Sequence, residues 1–177
     1  LGIAWAWLTC LSANAEVKLP AFFSDGMVMQ QQTRANLWGT ATPNAPVKIT
    51  TSWDKQTYKT IADAKGAWKL ALSTPSAGGP YTITFDDGKL TEIRDILMGE
   101  LWLCSGQSNM EMPMKGFKNQ PVENSNTDVM NSRNPQLRLF TVKRSSSFTP
   151  KTDVVGTWQE AVPATVREFS ATAYYFG

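Results

Sequence analysis

Gly99-Glu100-Leu101-Trp102-Leu103-Cys104-Ser105-Gly106-Gln107-Ser108-Asn109 is the stretch on which the fold turns. Leu101 to Cys104 is a continuous apolar run, not an alternating one, and suits a strand covered on both faces, as in a parallel α/β sheet. Ser105-Gly106-Gln107 then reads as a turn, and Ser108 opens a polar stretch able to start a helix. A buried strand, a tight glycine turn and a serine at a helix start form a physically sensible nucleophile site. The turn lifts the hydroxyl off the carboxyl end of the sheet, where α/β proteins place ligands. The serine's own N–H, at a helix N-terminus, is able to face a developing oxyanion. On this spacing Ser108 is the candidate nucleophile; the plainer reading is that Ser108 or Asn109 only caps the helix.

Toward the C-terminus, Leu137-Arg138-Leu139-Phe140-Thr141-Val142 reads as a second sheet strand. Val166, Phe169, Ala173 and Phe176 stand at helical spacing and predict one helix up to the last residues, with the pattern unfinished at Gly177. Between them, 116–135 is rich in Asn, Ser and Pro and is read as loop, with at most one short helix around Thr127 to Asn131. Toward the N-terminus the grammar changes near Asp95. From Val17 to about Arg94, short alternating runs sit between turn signals, the period of half-buried strands. Val47, Ile49 and Trp53 share one face, with Lys48, Thr50 and Ser52 on the other. Trp68, Leu70 and Leu72 alternate in the same way, as do Tyr81, Ile83 and Phe85. Thr42-Pro43-Asn44, 63–66, 75–80 and Asp86-Asp87-Gly88 are the breakers between them. The expectation is an antiparallel β-sandwich domain over 16–94, followed over 95–177 by the first, incomplete part of an α/β domain with a parallel sheet.

Residues 1–15, LGIAWAWLTCLSANA, are apolar from Leu1 to Leu11 and close on Ala13-Asn14-Ala15, the small-x-small pattern of a signal-peptidase site. They read as a partial secretory signal peptide, which places the mature protein in the bacterial periplasm or outside the cell. A buried N-terminal helix or strand is the alternative. Cleavage before Glu16 removes Cys10 and leaves Cys104 alone, so the core and not a disulfide has to hold the mature chain together. The 177 residues are 42% hydrophobic and 18% charged, the balance of a globular protein. Seventeen basic against fifteen acidic side chains leave a net charge of +2, too weak a field to draw in nucleic acid or anionic lipid. No partner of either kind is expected, and no membrane span in the mature chain. There is no histidine, which excludes an imidazole base or ligand within these residues. One Cys, no His and no clustered carboxylates make a metal site unfavourable.

The block from Gly99 to Glu111 closely resembles the nucleophile block of the sialate O-acetylesterase family, a branch of the SGNH hydrolases with Gly-Gln-Ser-Asn where relatives have Gly-Asp-Ser. Leu19-Pro20-Ala21-Phe22-Phe23-Ser24-Asp25-Gly26-Met27-Val28-Met29-Gln30 is similar to that family's N-terminal region. So are Leu37-Trp38-Gly39-Thr40-Ala41 and Gly78-Gly79-Pro80-Tyr81, and 169–177 is similar to one of its helices. The resemblance implies an enzyme that removes acetyl groups from sugar hydroxyls, notably those of sialic acids, by double displacement. Ser108 would attack the acetyl carbonyl and form an acetyl-enzyme that water later cleaves. Its N–H would be one oxyanion donor, and Gly106, Gln107 and Asn109 would support the block. The family's Asp and His would lie beyond Gly177, and no metal or organic cofactor is implied. Without that base the 177-residue chain is expected to be inactive.

Weaker candidates have plain alternatives. Glu111, three after Ser108, is imaginable as a base, but an acid in the first turn is favoured by the helix dipole. Cys104 ends an apolar run, where cysteine is usually a small core residue. Trp53 and Trp68 suit a core better than sugar stacking. Asp95 and Glu100 read as solvated or paired across the domain junction. A deacetylase of plant polysaccharide such as xylan is a second reading, and a non-catalytic carbohydrate-binding module a third.

Overall fold

The computed structural model describes residues 16–176. The stretch read as a leader, 1–15, lies outside the described residues, as does Gly177. Seven strands come first: β1 (Val28–Gln30), β2 (Arg34–Thr40), β3 (Pro46–Thr51), β4 (Thr57–Ile61), β5 (Ala67–Ser73), β6 (Gly78–Asp86) and β7 (Leu90–Gly99). They make a five-stranded sheet in the order β1-β7-β6-β3-β4 and a two-stranded sheet of β2 and β5. Every pairing is antiparallel except that of β1 with β7.

The alternation in the sequence is the cause of this arrangement. In β3, Val47, Ile49 and Thr51 are buried while Pro46, Lys48 and Thr50 face water. Ile83 and Phe85 of β6 and Ile93 and Ile96 of β7 join them from the same sheet. Leu37 of β2 and Trp68 and Leu72 of β5 meet them from the other, so both sheets close on one core. Each such side chain contributes roughly 1.5–3 kcal/mol when fully buried. The turn at 63–66 is held by Asp63, whose Oδ1 accepts from the N–H groups of Lys65 at 2.8 Å and Ala67 at 2.9 Å. Gly66 there has φ +84°, and a Cβ on it would come within 2.5 Å of the Ala41 carbonyl oxygen. Only glycine fits that position.

The change of pattern at Asp95 coincides with an irregularity inside β7. Ile83 pairs with Ile93 and Tyr81 with Ile96, so three steps along β7 oppose two along β6. Asp95 takes φ +56°. This is a β-bulge; it lets Ile93 and Ile96 both point inward although they stand three positions apart, an odd offset that regular alternation would put on opposite faces. β7 then runs on to Gly99.

Beyond Gly99 lie α1 (Ser108–Glu111), α2 (Ser125–Met130), β8 (Asn134–Phe140), β9 (Trp158–Ala161), α3 (Pro163–Glu168) and α4 (Ala171–Phe176). Met114, Val129, Leu139, Ala161, Val166 and Ala171 form a second, smaller core. Three expectations change here. Leu101 to Cys104 is not a strand, and Leu101, Trp102 and Leu103 are 48%, 58% and 92% exposed. A strand covered on both faces needs paired neighbours, and among the described residues none pairs with this run. The expected strand at 137–142 starts earlier, as β8, and pairs antiparallel with β9 instead of entering a parallel sheet. The expected single helix up to Phe176 is two. Phe169 is extended at φ −78°, ψ 158°. Ser170 bridges to Pro113, and its Oγ accepts the Ala173 N–H at 3.2 Å, capping α4. The short helix expected near Thr127 is present as α2. Trp53 falls just past the end of β3, yet it packs on the core and stands edge-on to Tyr81 at 5.7 Å.

Candidate active site

The sequence-predicted block is presented at the surface. Ser105, Gly106, Gln107, Ser108 and Asn109 are all exposed, and Cys104 is half-buried. Ser108 is the first residue of α1, after Gln107 with φ −116°, ψ −142°, and Met110 N–H donates to the Gln107 carbonyl at 2.9 Å. The serine therefore sits at the start of a helical turn, as its spacing predicts. Gly106 keeps an ordinary backbone, and a Cβ on it would meet the Met110 side chain at 3.4 Å, normal contact.

Two sets of bonds fix this segment. Upstream, the amides of Gln30 and Gln31 donate to the two carboxylate oxygens of Glu100 at 3.0 and 2.8 Å. Gln30 Oε1 also accepts the Leu101 N–H at 2.9 Å. The Gln30 amide first, then that of Gln31, holds the Glu100 carboxyl below its ordinary value. Glu100 is thus tied to the end of β1 and the residue after it. Downstream, Thr172 Oγ donates to the Asn109 carbonyl at 3.1 Å, and Ala171 N–H to that of Met112 at 2.8 Å. Met114 and Lys115 N–H groups donate to the Phe169 and Arg167 carbonyls at 2.9 and 3.0 Å. Trp102 meets Phe176 edge-on with ring centroids 5.3 Å apart. The stretches 19–30 and 169–176, far apart in sequence, both meet 99–111.

The remaining candidates take structural roles. The Glu111 carboxylate pairs with Arg144 at 2.9 Å, both side chains exposed, an interaction of at most about 1 kcal/mol. Asp95 receives two bonds from Arg138, at 2.7 and 3.3 Å. Trp68 is in the core. Among the described residues no hydrogen bond joins the Ser108 hydroxyl to a carboxylate, and no group of three His, Cys, Asp or Glu is placed to hold a metal ion. No helix among them is long and apolar enough to cross a membrane. Two shallow depressions, about 320 and 270 Å³, are lined by residues such as Val122 and Ser125 or Thr50 and Thr84, away from Ser108. Sequence reasoning missed Gln31 and Thr172 as individual residues. The signal available was their place within or directly beside stretches already singled out.

No family model matches the chain. It is 30% identical over 154 residues to a sialate O-acetylesterase of Pongo abelii, covering 81% of this chain and 29% of that protein. It is 32% identical over 131 residues to the human sialate O-acetylesterase, covering 68% of this chain and 25% of that protein. The chain thus spans under a third of the length of these curated relatives. Its fold matches the crystal structure of a carbohydrate acetylesterase from Xanthomonas citri with a TM-score of 0.83 and 34% identity, over 91% of this chain and 36% of that one.

Proposed function

The chain belongs to the sialate O-acetylesterase family, and we propose that it carries the nucleophile segment of an exported serine esterase that removes O-acetyl groups from sugars. The observation that carries this reading is Ser108 itself, exposed at the first residue of a helical turn whose flanks are tied to 19–30 and 169–176. In the reaction, Ser108 Oγ bonds to the acetyl carbonyl carbon while its proton passes to a base. The ester C–O bond breaks, the sugar hydroxyl leaves with a proton, and water then cleaves the acetyl-serine. The Ser108 N–H stands ready as one oxyanion donor. No cofactor takes part.

A serine hydroxyl is a poor nucleophile near neutral pH until a neighbour takes its proton. No histidine is available within the 177 residues, and Glu111 is engaged with Arg144. As the family resemblance implies, we place the base in a part of the enzyme outside them, within an α/β domain of which 95–177 is the opening and to which the sheets of 16–94 are appended as a β-sandwich. The exposed run Leu101 to Leu103 supports this, since its apolar faces call for cover. The substrate class we favour is O-acetylated sialic acid, by the names of the curated relatives; the carbohydrate acetylesterase supports the broader class of acetylated sugars, xylan included.

Aryl acetate hydrolysis tests the reading. The protein expressed from its complete gene is expected to turn over 4-nitrophenyl acetate, and Ser108→Ala to lose about three orders of magnitude or more in kcat. The 177-residue chain alone is expected to stay at background. Turnover by that chain which disappears in Ser108→Ala refutes the external base; full activity of the Ser108→Ala enzyme refutes the nucleophile. Acetylated sialic acid and acetylxylan assayed side by side decide the sugar.

A further inference from the structure

We propose, resting on the reading of Ser108 as nucleophile, that Thr172 is a positioning residue for it, acting through the Asn109 carbonyl. α1 has four residues, far fewer than a helix needs to hold itself together in water. Its N-cap, Gln107, lends no side-chain hydrogen bond. Its orientation has to come from outside, and α4 supplies it on both sides of the serine. Thr172 Oγ binds the carbonyl of the residue directly after Ser108, at 3.1 Å. Phe176 packs on Trp102, which precedes Ser108 at the entry of the block. Thr172 and Phe176 lie one turn apart and share a face of α4. That face meets the nucleophile segment.

The register of α4 is fixed independently by the main-chain bonds from Ala171 to Met112 and from Met114 to Phe169. The Thr172 hydroxyl is therefore delivered to Asn109 by the backbone, and it is the side-chain group in this set that can be deleted without disturbing the rest. Carbonyls in the last turn of a helix have no partner within it. The bond from Thr172 satisfies that of Asn109 and pins the Asn109–Met110 peptide, one residue beyond the serine. Rotation of that peptide would be passed to Ser108 through the backbone of Asn109.

A nucleophile misplaced by about 1 Å loses on the order of a hundredfold in rate. Both Thr172 and Asn109 are exposed, so water replaces part of the lost bond and the expected effect is smaller. On 4-nitrophenyl acetate, with the protein expressed from its complete gene, Thr172→Val is expected to lower kcat about fivefold with KM within about twofold of wild type. Thr172→Ser, which keeps the hydroxyl, is expected to restore kcat, and thermal melting of both variants to match wild type. Wild-type kcat in Thr172→Val overturns the proposal. So does an equal fall in both variants, because the hydroxyl that Thr172→Ser keeps would then not be what sustains kcat. Ser108→Ala separates the two levels: if it retains activity, the nucleophile reading and this one fall together. If it is inactive while Thr172→Val keeps wild-type kcat, this inference alone falls.

Discussion

Asp95 shows how one residue can look like a boundary and be a joint. Its left-handed backbone, φ +56°, is one that aspartate tolerates better than most side chains, and the bulge it makes turns its carboxylate toward β8. There it meets Arg138, whose side chain is 6% exposed, with Glu160 a second acid at 3.8 Å. Removing one partner of a fully buried pair costs about 3–5 kcal/mol, because the other charge is stranded. Asp95 is itself 46% exposed and Glu160 remains, so Asp95→Ala is expected to cost about 2 kcal/mol. The midpoint of urea unfolding measures it, and a change below about 0.5 kcal/mol would show the pair to be incidental. Sequence reading left Asp95 as solvated or paired and named no partner. A bulge shifts register by one residue, and the sequence shows only that alternation fails there.

At the scale of elements, local chemistry sets the turns. The β3–β4 hairpin is organised by Asp54, whose carboxylate accepts from the Thr51 hydroxyl, the Gln56 N–H at 2.9 Å and the Tyr58 hydroxyl at 3.0 Å. Burial pushes its pKa up, but the Thr51 hydroxyl, then the Gln56 N–H and the Tyr58 hydroxyl, outweigh that and hold it below the ordinary aspartate value. A carboxyl with a lowered folded pKa stabilises the fold above its unfolded pKa, and the contribution is lost as pH falls through the folded one. Thermal melts recorded from neutral pH down to about pH 3 are therefore expected to fall less steeply for Asp54→Asn than for wild type, from a lower neutral starting point. Parallel curves would remove Asp54 from the acid limb. The strands of this region were legible because period-two alternation reports a half-buried surface directly, as Ile83 and Phe85 show. The break of the C-terminal helix was not. The spacing of Val166, Phe169 and Ala173 is as good for a helix as for two, and the extended Phe169 follows from a bridge between Ser170 and Pro113 that no local pattern encodes.

For the whole molecule the decisive contrast is between two cores. Among the described residues, the one shared by the sheets takes in sixteen buried residues from Val17 to Met98, the other six from Met114 to Ala171. Between them, Leu101 to Leu103 exposes apolar side chains, and Phe176, 69% exposed, adds to the same surface through its contact with Trp102. The composition of the Leu101 run was legible, but what lies against it was not, since periodicity is silent on which neighbour provides cover. The start of a helical turn at Ser108 needed only local chemistry, a serine opening a polar stretch, and was legible without the cover. Backbone amides open with free energies that follow the burial around them. In the 177-residue chain, hydrogen exchange is therefore expected to be slowest in β3, β6 and β7, intermediate in β8 and β9, and fast over 101–107. Exposed apolar strand-forming segments also pair with other copies, so protection of 101–104 is expected to rise with protein concentration while that of β6 stays constant. Slow exchange of 101–104 at every concentration would mean that this run finds cover within its own chain, and the surface ascribed here to a missing neighbour would not exist.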